Sequence, residues 1–518
     1  MTAGAGAVRS EVLRSSYRDS VELMQIAEEI KRQPGVLQAG LVMGTPANCA
    51  VLRDAGLYEG PAREAGPNDL VVAVAATDES AAGEALALAS RLLAARPEGQ
   101  GWQEARRFVP TTLAEAAAEE SGLNLAMIST PGDYAAAEAL MALKRGLHVF
   151  LFSDNVAIED EITLKALARR KGLLLMGPDC GTAILDGIPL GFANAVRRGR
   201  IGVVAASGTG LQQVTCLVDR LGEGISQAIG VGGRDLDERV GGTMMLIGIE
   251  RLTADPGTEV IVLVSKPPAA SVAARVLEAA ARSGKPVVAG FLGGDAEAAA
   301  GSGATFAGTL EDAARLAVAA ARHGSPDGRA RGEMAAPVEA MARHEAARLA
   351  PVQWRIKGLY SGGSLASESK VVLKGALGTA RAAEHTILDL GDDEFTVGRP
   401  HPMIDPSLRN EYVVAAAAEP DVAVVLLDVV LGYGSHPDPA GALAPAIVEA
   451  RAVAADAGRG LAVVASVCGT EDDPQGLVAQ ERTLAEAGVT LFPSNAQAAA
   501  FAASIAQEAR APVAEGTA

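Results

Sequence analysis

The sequence predicts an α/β protein of several domains, and three observations carry that expectation. Strand-type and helix-type stretches alternate along most of the chain. Alanine, valine, leucine and glycine dominate while aromatics make up 3%, a composition that suits buried parallel strands flanked by close-packed helices. One strand, glycine turn and helix unit also occurs twice: RIGVVAASGTGLQQVTCLV from Arg200 and RIKGLYSGGSLASESKVVL from Arg355. The likeness continues in order through Val231-Gly232-Gly233-Arg234 against Val397-Gly398-Arg399. It then runs through Ala254-Asp255-Pro256 before VIVLVS against Glu419-Pro420 before VAVVLL, and ends with KPVVAGFLGG against LAVVASVCGT. Shared order and spacing point to a duplicated domain.

The 518 residues suffice for about three or four domains, each with its own core. At the N-terminus the strands VLRSSY, VLQAGLVMG and LVVAVAA alternate with the helices VELMQIAEEIKRQ, ANCAVLRDAG and SAAGEALALASRLLAA. This pattern predicts a small α/β domain over 1–118. Its one candidate site, Gly44-Thr45-Pro46-Ala47-Asn48, is a turn entering a helix, which a simple N-cap explains as well as a ligand does. Over 119–198 the strands LNLAMISTP, LHVFLFSD and LLLMGPDCGTAI enclose two helical stretches, the βαβ signature of a doubly wound parallel sheet. Its functional edge lies at Thr130-Pro131-Gly132, Ser153-Asp154-Asn155 and Gly177-Pro178-Asp179-Cys180-Gly181. The first repeat copy is assigned to 199–325, a linker with some helix to 326–352, the second copy to 353–508 and a polar tail to 509–518.

A net charge of −18 and a pI near 4.9 argue against a nucleic-acid partner, which needs clustered Lys and Arg. The absence of a long apolar run and of a signal-peptide core leads to the expectation of a cytoplasmic protein without a membrane partner. Cys49, Cys180, Cys216 and Cys468 lie far apart with no metal-finger spacing, so buried thiols are expected and no metal is assigned. Cys180, beside a glycine turn, is a candidate acyl nucleophile, with lining the site as its other reading. The acidic turn Asp389, Asp392, Asp393 and Glu394 would hold a metal only if oxygen ligands converged there.

Ser207-Gly208-Thr209-Gly210 and Ser361-Gly362-Gly363-Ser364 stand where a strand hands over to a helix. Backbone N–H groups and the positive end of the helix dipole can face an anion there, though glycines also simply permit a tight turn. A third candidate is Gly432-Tyr433-Gly434-Ser435-His436, after the strand VAVVLLDVVL. Arg234 and Arg399 occupy matched positions and suit a carboxylate or phosphoryl group, or a domain bridge. His401 and His436, in GRPHPMIDP and YGSHPDP, are candidates for proton transfer or plain turn residues. His148 reads as structural, and His323, His344 and His385 as surface residues.

MGPDCGTAI at 176–184, followed by GRIGVVAASGTG, ISQAIGVGGRDLDE and ADPGTEVIVLV, resembles the α subunit of succinyl-CoA synthetase. The second copy, with VAVVLLDVVLGYG, resembles the C-terminal ligase domain of the β subunit. LYSGGSLASE, DLGDDEFTVGRPHPMIDP and MGPDCGTAI together identify a resemblance to the FdrA family, which joins both in one chain, over about 120–508. The resemblance implies a Rossmann-like, CoA-binding-type sheet followed by two flavodoxin-like ligase domains. It also implies phosphate as co-substrate, coenzyme A as a possible cofactor, and Asp179 and Cys180 as lining residues. The chain departs from the synthetase where that family carries phosphate on a histidine: it continues Asp295-Ala296-Glu297, and Ser265 and Lys266 stand where the supporting glutamate is expected. It also lacks a G-x-x-x-x-G-K-[ST] loop and a nucleotide-grasp domain.

The departures argue against a phosphohistidine relay driven by ATP. The expectation is an anion site in which the Ser207–Gly210 and Gly432–His436 turns aim two helix starts at one phosphate or carboxylate. The resemblance implies a subunit of an oxamate carbamoyltransferase-type system, converting oxalurate and phosphate to oxamate and carbamoyl phosphate with companion proteins. One alternative is an acyl-CoA synthetase subunit needing a nucleotide-binding partner, and another is a non-catalytic ligand-binding or scaffold subunit. A small anionic substrate, companion subunits and a homodimer are the expected partners.

Overall fold

The computed structural model describes residues 7–16, 18, 20–94, 110–120, 122–294, 296–326, 337–396 and 400–510. The chain divides into two compact units, one of Met1–Ser121 with Asp393–Asp405, the other of Gly122–Asp392 with Pro406–Ala518.

In the first unit β1 (Ala7–Leu13) and β2 (Val36–Met43) flank β3 (Leu70–Ala76), both antiparallel to it. Period-2 alternation splits the LVVAVAA strand between two cores. Leu70, Val72, Val74 and Ala76 pack with Leu23, Ile26 and Ile30 and with Ala82, Ala85 and Ala89 of two helices. Val71 and Ala73 face Leu52, Leu57 and Ala62. The first strand lies over 7–13 rather than over the VLRSSY stretch. The chain turns at Arg14 and Ser15 because the Asp69 carboxylate accepts from Arg14 Nη1 (2.7 Å) and the Ser15 amide (2.9 Å). Thr45 is the N-cap of helix Pro46–Asp54, its Oγ1 accepting from the Asn48 amide at 3.3 Å.

The second unit opens with a parallel sheet of β4 (Leu125–Ile128), β5 (His148–Leu151) and β6 (Leu175–Met176). MGPDCGTAI spans two sheets: Met176 ends β6, whereas β7 (Thr182–Leu185) and its hairpin partner β8 (Ile188–Gly191) join the next one through Ala228 opposite Ile184. That sheet contains β9 (Arg198–Ala206), β10 (Ile225–Gly230), β11 (Val260–Ser265), β12 (Val287–Phe291) and β13 (Thr305–Phe306), in the order β13-β12-β11-β9-β10-β7-β8. The last sheet is β14 (Arg355–Tyr360), β15 (Thr386–Asp389), β16 (Val422–Val430), β17 (Ala462–Cys468) and β18 (Thr490–Phe492), parallel in the order β15-β14-β16-β17-β18. Counted from the first strand of each copy, both orders are 2-1-3-4-5, the flavodoxin-like arrangement. The duplication seen as sequence words is a duplication of topology, and the multidomain α/β expectation holds. Among the described residues no helix is long and apolar enough to cross a membrane.

Candidate active site at two facing helix starts

Ligands of parallel sheets bind beyond the carboxyl ends of the strands, and there the two copies meet. β9 ends at Ala206, and Ser207 caps helix Gly208–Arg220, its Oγ accepting from the Gly210 amide at 3.0 Å. The Leu211 amide donates to the Ser207 carbonyl (3.1 Å), while Gly208 and Thr209 belong to the first turn, whose amides lack helical acceptors. β14 ends at Tyr360 and leads through Ser361 and Gly362 into helix Gly363–Leu377. The Ser207 and Ser364 hydroxyls are hydrogen-bonded, and the Ser364 amide donates to Thr209 Oγ1 at 3.4 Å. Ser207–Gly210 therefore faces Ser361–Ser364, not the Gly432–His436 turn expected as its partner. That third turn is committed elsewhere. Its Tyr433 amide donates to the Ala193 carbonyl (2.9 Å), and Gln475 accepts from the Gly432 amide (3.1 Å) and donates to the Gly432 and His436 carbonyls (3.0 and 3.2 Å).

Thr182, at the start of β7, points at the Gly208 helix. Its Oγ1 is buried with no hydrogen-bond partner, the residue being 1% exposed, and lies 3.7 Å from where a Cβ on Gly208 would stand. A buried hydroxyl left unpaired costs about 1–3 kcal/mol, so this one is poised to gain from a ligand. Near Gly363, Lys266 from the end of β11 and Asp389 from the end of β15 converge. A Cβ on Gly363 would collide with the Asp389 carboxylate and lie 3.4 Å from Lys266 Nζ. Burial raises the Asp389 pKa, and the Lys266 charge opposes that rise. The sequence reading placed neither in the site, although each follows or ends a strand at the functional edge.

The second copy's turn already holds a carboxylate. Asp428, fully buried in β16, accepts from the Ser361 amide (2.8 Å) and hydroxyl (3.1 Å) at Oδ1 and from the Gly362 amide (2.7 Å) at Oδ2. Arg409, 2% exposed, donates from Nη1 to Asp428 Oδ1 (3.2 Å) and to the Asp428 carbonyl (2.7 Å). The Asp428 carboxylate is thus satisfied inside the fold, while Arg409 Nε is buried without a partner.

The remaining candidates divide. Cys180 is buried, and burial pushes its thiol up to about 12, so at neutral pH it stays protonated beside the Thr182 carbonyl (3.5 Å) and is no nucleophile. Asp179 is exposed in a left-handed conformation, φ 55°, its amide donating to the Ser153 carbonyl at 2.9 Å. Arg234 bridges to Glu161 (2.9 Å) and the Val156 carbonyl (2.8 Å), the domain-bridging alternative. Arg399 lies outside the described residues. His436 is buried, with Nδ1 accepting from the Asp438 amide (3.0 Å), and Ser435 Oγ is buried without a partner. His401 belongs to the first unit, where its Nδ1 accepts from the Met403 amide (3.2 Å). His385 is not a surface residue: half-buried, it accepts the Ile356 amide at Nδ1 (3.0 Å), and its ring lies tilted against Trp354 with centroids 5.7 Å apart. Among the described residues no three His, Cys, Asp or Glu side chains converge to hold a metal.

A CoA-ligase family model matches residues 359–505, a CoA binding domain model matches 196–293, and one described as AllF, heavy metal-associated domain, matches 6–108. The described residues of the N-terminal domain do not fit a heavy metal. The domain has no histidine before His148, its one thiol, Cys49, is buried on helix Pro46–Asp54, and Asp69 clamps the loop after β1. At the edge of β4–β6, Thr130 Oγ1 is buried without a partner and the Ser153 hydroxyl donates to the Thr130 carbonyl.

The α subunit of succinate–CoA ligase [ADP-forming] from Aquifex aeolicus is 27% identical over 183 residues, 34% of this chain and 59% of that one. An acetyl-coenzyme A synthetase from Ca. Korarchaeum cryptofilum, solved with phosphate and ADP, aligns at 17% identity and a TM-score of 0.31, covering 75% of this chain and 83% of that one. Uncharacterized protein YahF from Escherichia coli is 42% identical over 506 residues, covering 94% of this chain and 96% of its own length. The chain, with its AllF-type, CoA-binding and CoA-ligase matches, belongs to the family of YahF.

Proposed function

We propose that this chain is an acid–CoA-ligase-type acyl-transfer subunit that holds one oxyanion at the start of the Gly208 helix and exchanges an acyl or carbamoyl group with it. The buried, unpaired Thr182 hydroxyl beside Gly208 carries the reading. A phosphate there would accept from the Gly208 and Thr209 amides and from Thr182, with Lys266 adding positive charge at the mouth. In transfer to phosphate, a phosphate oxygen attacks the acyl or carbamoyl carbon. The bond from that carbon to the leaving sulfur or nitrogen breaks, and the leaving atom takes up a proton. Asp389, whose burial raises its pKa, stands beside Lys266 to hold that proton. Coenzyme A would be held near Thr130 and Ser153, where it supplies the thiol acceptor.

The acid–CoA-ligase reading is favoured by the matched CoA-ligase and CoA-binding models, and it calls for a nucleotide-binding partner. A second reading rests on the stretch after β12, which runs Leu292-Gly293-Gly294-Asp295 without a histidine. An FdrA-type carbamoyl transfer between oxalurate and phosphate needs no phosphohistidine and no ATP. Either reading fits a dimer with companion subunits. Calorimetric titration separates them: saturable heat with carbamoyl phosphate alone supports carbamoyl transfer, and heat with coenzyme A alone supports the ligase. Gly208→Val should abolish phosphate binding while leaving the circular dichroism spectrum intact, and an unchanged phosphate affinity would end both.

A further inference from the structure

We infer that Asp473, from the loop after β17 of the second copy, is a positioning residue for the first copy's oxyanion site, setting the Thr182 hydroxyl against the start of the Gly208 helix. The inference rests on the oxyanion reading above and adds to it what the second copy contributes.

One short segment brings Thr182 and Gly208 together. Thr182 opens β7 opposite Gly191 of β8, and the chain runs on from Gly191 through Phe192, Ala193, Asn194 and Ala195 toward β9. The Phe192 amide donates at 2.8 Å to the carbonyl of Gly181, the residue before Thr182. Gln212, one turn into the Gly208 helix, donates from Nε2 to the Phe192 carbonyl and to Asn194 Oδ1 (3.0 Å). The segment therefore touches the strand that carries Thr182 on one side and the helix that begins at Gly208 on the other.

Asp473 holds that segment from outside the first copy. It is 4% exposed and both its oxygens are used: Oδ1 accepts from the Ala195 amide (2.7 Å), and Oδ2 accepts from Asn194 Nδ2 and the Thr470 amide (each 2.8 Å). Thr470 Oγ1 donates to the Ala195 carbonyl (2.6 Å), and the Leu431 carbonyl accepts from Asn194 (3.0 Å) and Gln212 (3.3 Å). Asn194 and Gln212 are each 1% exposed, so a buried chain from Asp473 through Asn194 to Gln212 joins the second copy to the helix. Buried networks of this kind rigidify what they bond, and a carboxylate that accepts every bond holds its donors more strongly than a neutral amide does. The Thr182 hydroxyl makes no bond of its own, so this scaffold sets its place beside Gly208. A phosphate bonded to both needs that spacing held to about 0.5 Å.

A double-mutant cycle on the full chain tests this, with inorganic phosphate as the calorimetric probe. Thr182→Val keeps the shape, removes the hydroxyl and should weaken phosphate binding roughly tenfold. Asp473→Asn should weaken it by a similar factor. The two together should bind no more weakly than Thr182→Val alone, because a displaced hydroxyl and a missing one are equivalent. A residue that only holds the copies together would act equally in both backgrounds. Wild-type affinity in either single variant, or losses that multiply, overturns the inference, while Gly208→Val judges the oxyanion reading separately. Circular dichroism checks folding, and Gln212→Met, which cuts the same chain at the helix, replaces Asp473→Asn if that variant does not fold. If the wild type binds no phosphate, the oxyanion reading falls and hydrogen exchange over Thr182–Ala195 decides the positioning. Faster exchange there in Asp473→Asn upholds it, and unchanged exchange overturns it.

Discussion

The two repeat copies share a strand order and a glycine turn, yet one turn is filled by the chain's own carboxylate and the other is lined by an unpaired hydroxyl. Topology therefore does not decide which copy binds a ligand; a few buried residues around the turn do. In the second copy two amides, a serine hydroxyl and Arg409 surround Asp428. That arrangement satisfies the carboxylate from within the fold. In the first copy the unpaired Thr182 hydroxyl lies beside Gly208, and the helix dipole there is available.

The largest effect should come from breaking the filled site. Asp428→Ala leaves Arg409 buried without a counter-charge, which costs about 3–5 kcal/mol. Urea unfolding should show that loss, whereas Arg409→Met with Asp428→Ser should cost distinctly less because no charge is left unpaired. Equal losses would mean that the ion pair is not what holds the turn.

A second effect sharpens the comparison at the seam between the copies. Glu368, on the Gly363 helix, accepts from the Leu310 amide of the first copy (2.6 Å) and from Asn495 Nδ2 (2.8 Å). Burial pushes its carboxyl up to about 7, well above the ordinary 4.5. The folded chain therefore keeps this proton where the unfolded chain has lost it. The associated stability is full below pH 4.5 and is lost as pH rises through about 7, on the order of 3 kcal/mol in all. Glu368→Gln, which mimics the protonated form, should flatten that slope in thermal melts between pH 5 and 8. A slope that survives the substitution assigns the titration to another group.

Much of this was legible in the sequence. Glycine turns and apolar strand runs are local signals, so the duplication, the Thr45 cap and the Ser207 and Ser361 helix starts could be read directly. Which turns face each other was not legible, because Gln475 and Ala193 capture the Gly432 turn from residues distant in sequence. Asp428 was hidden for a similar reason. Within VAVVLLDVV it looks like one polar residue in a buried strand, and only the fold places it beneath Ser361. Lys266 and Asp389 come from different copies, so no spacing rule joins them.

The smallest expected effect compares two histidines that do the same job in different sheets. His148 accepts the Leu174 amide (2.9 Å) and His385 the Ile356 amide (3.0 Å), each through Nδ1 at the start of a parallel strand. Burial lowers both pKa values, and that of His385 falls to about 4 from 6.5. A neutral ring is needed to accept the amide, so protonation breaks the bond. The unfolded chain takes up the proton first, so the stability from His385 is present above pH 6.5 and is lost as pH falls through about 4. Both rings are partly exposed and solvent screens the charge, so the loss at each site should be small. His385→Gln should remove the acid limb belonging to the last sheet and leave that of His148. NMR titration of the two rings should show His385 protonating at the lower pH, and the reverse order would mean that the His148 site is the drier of the two.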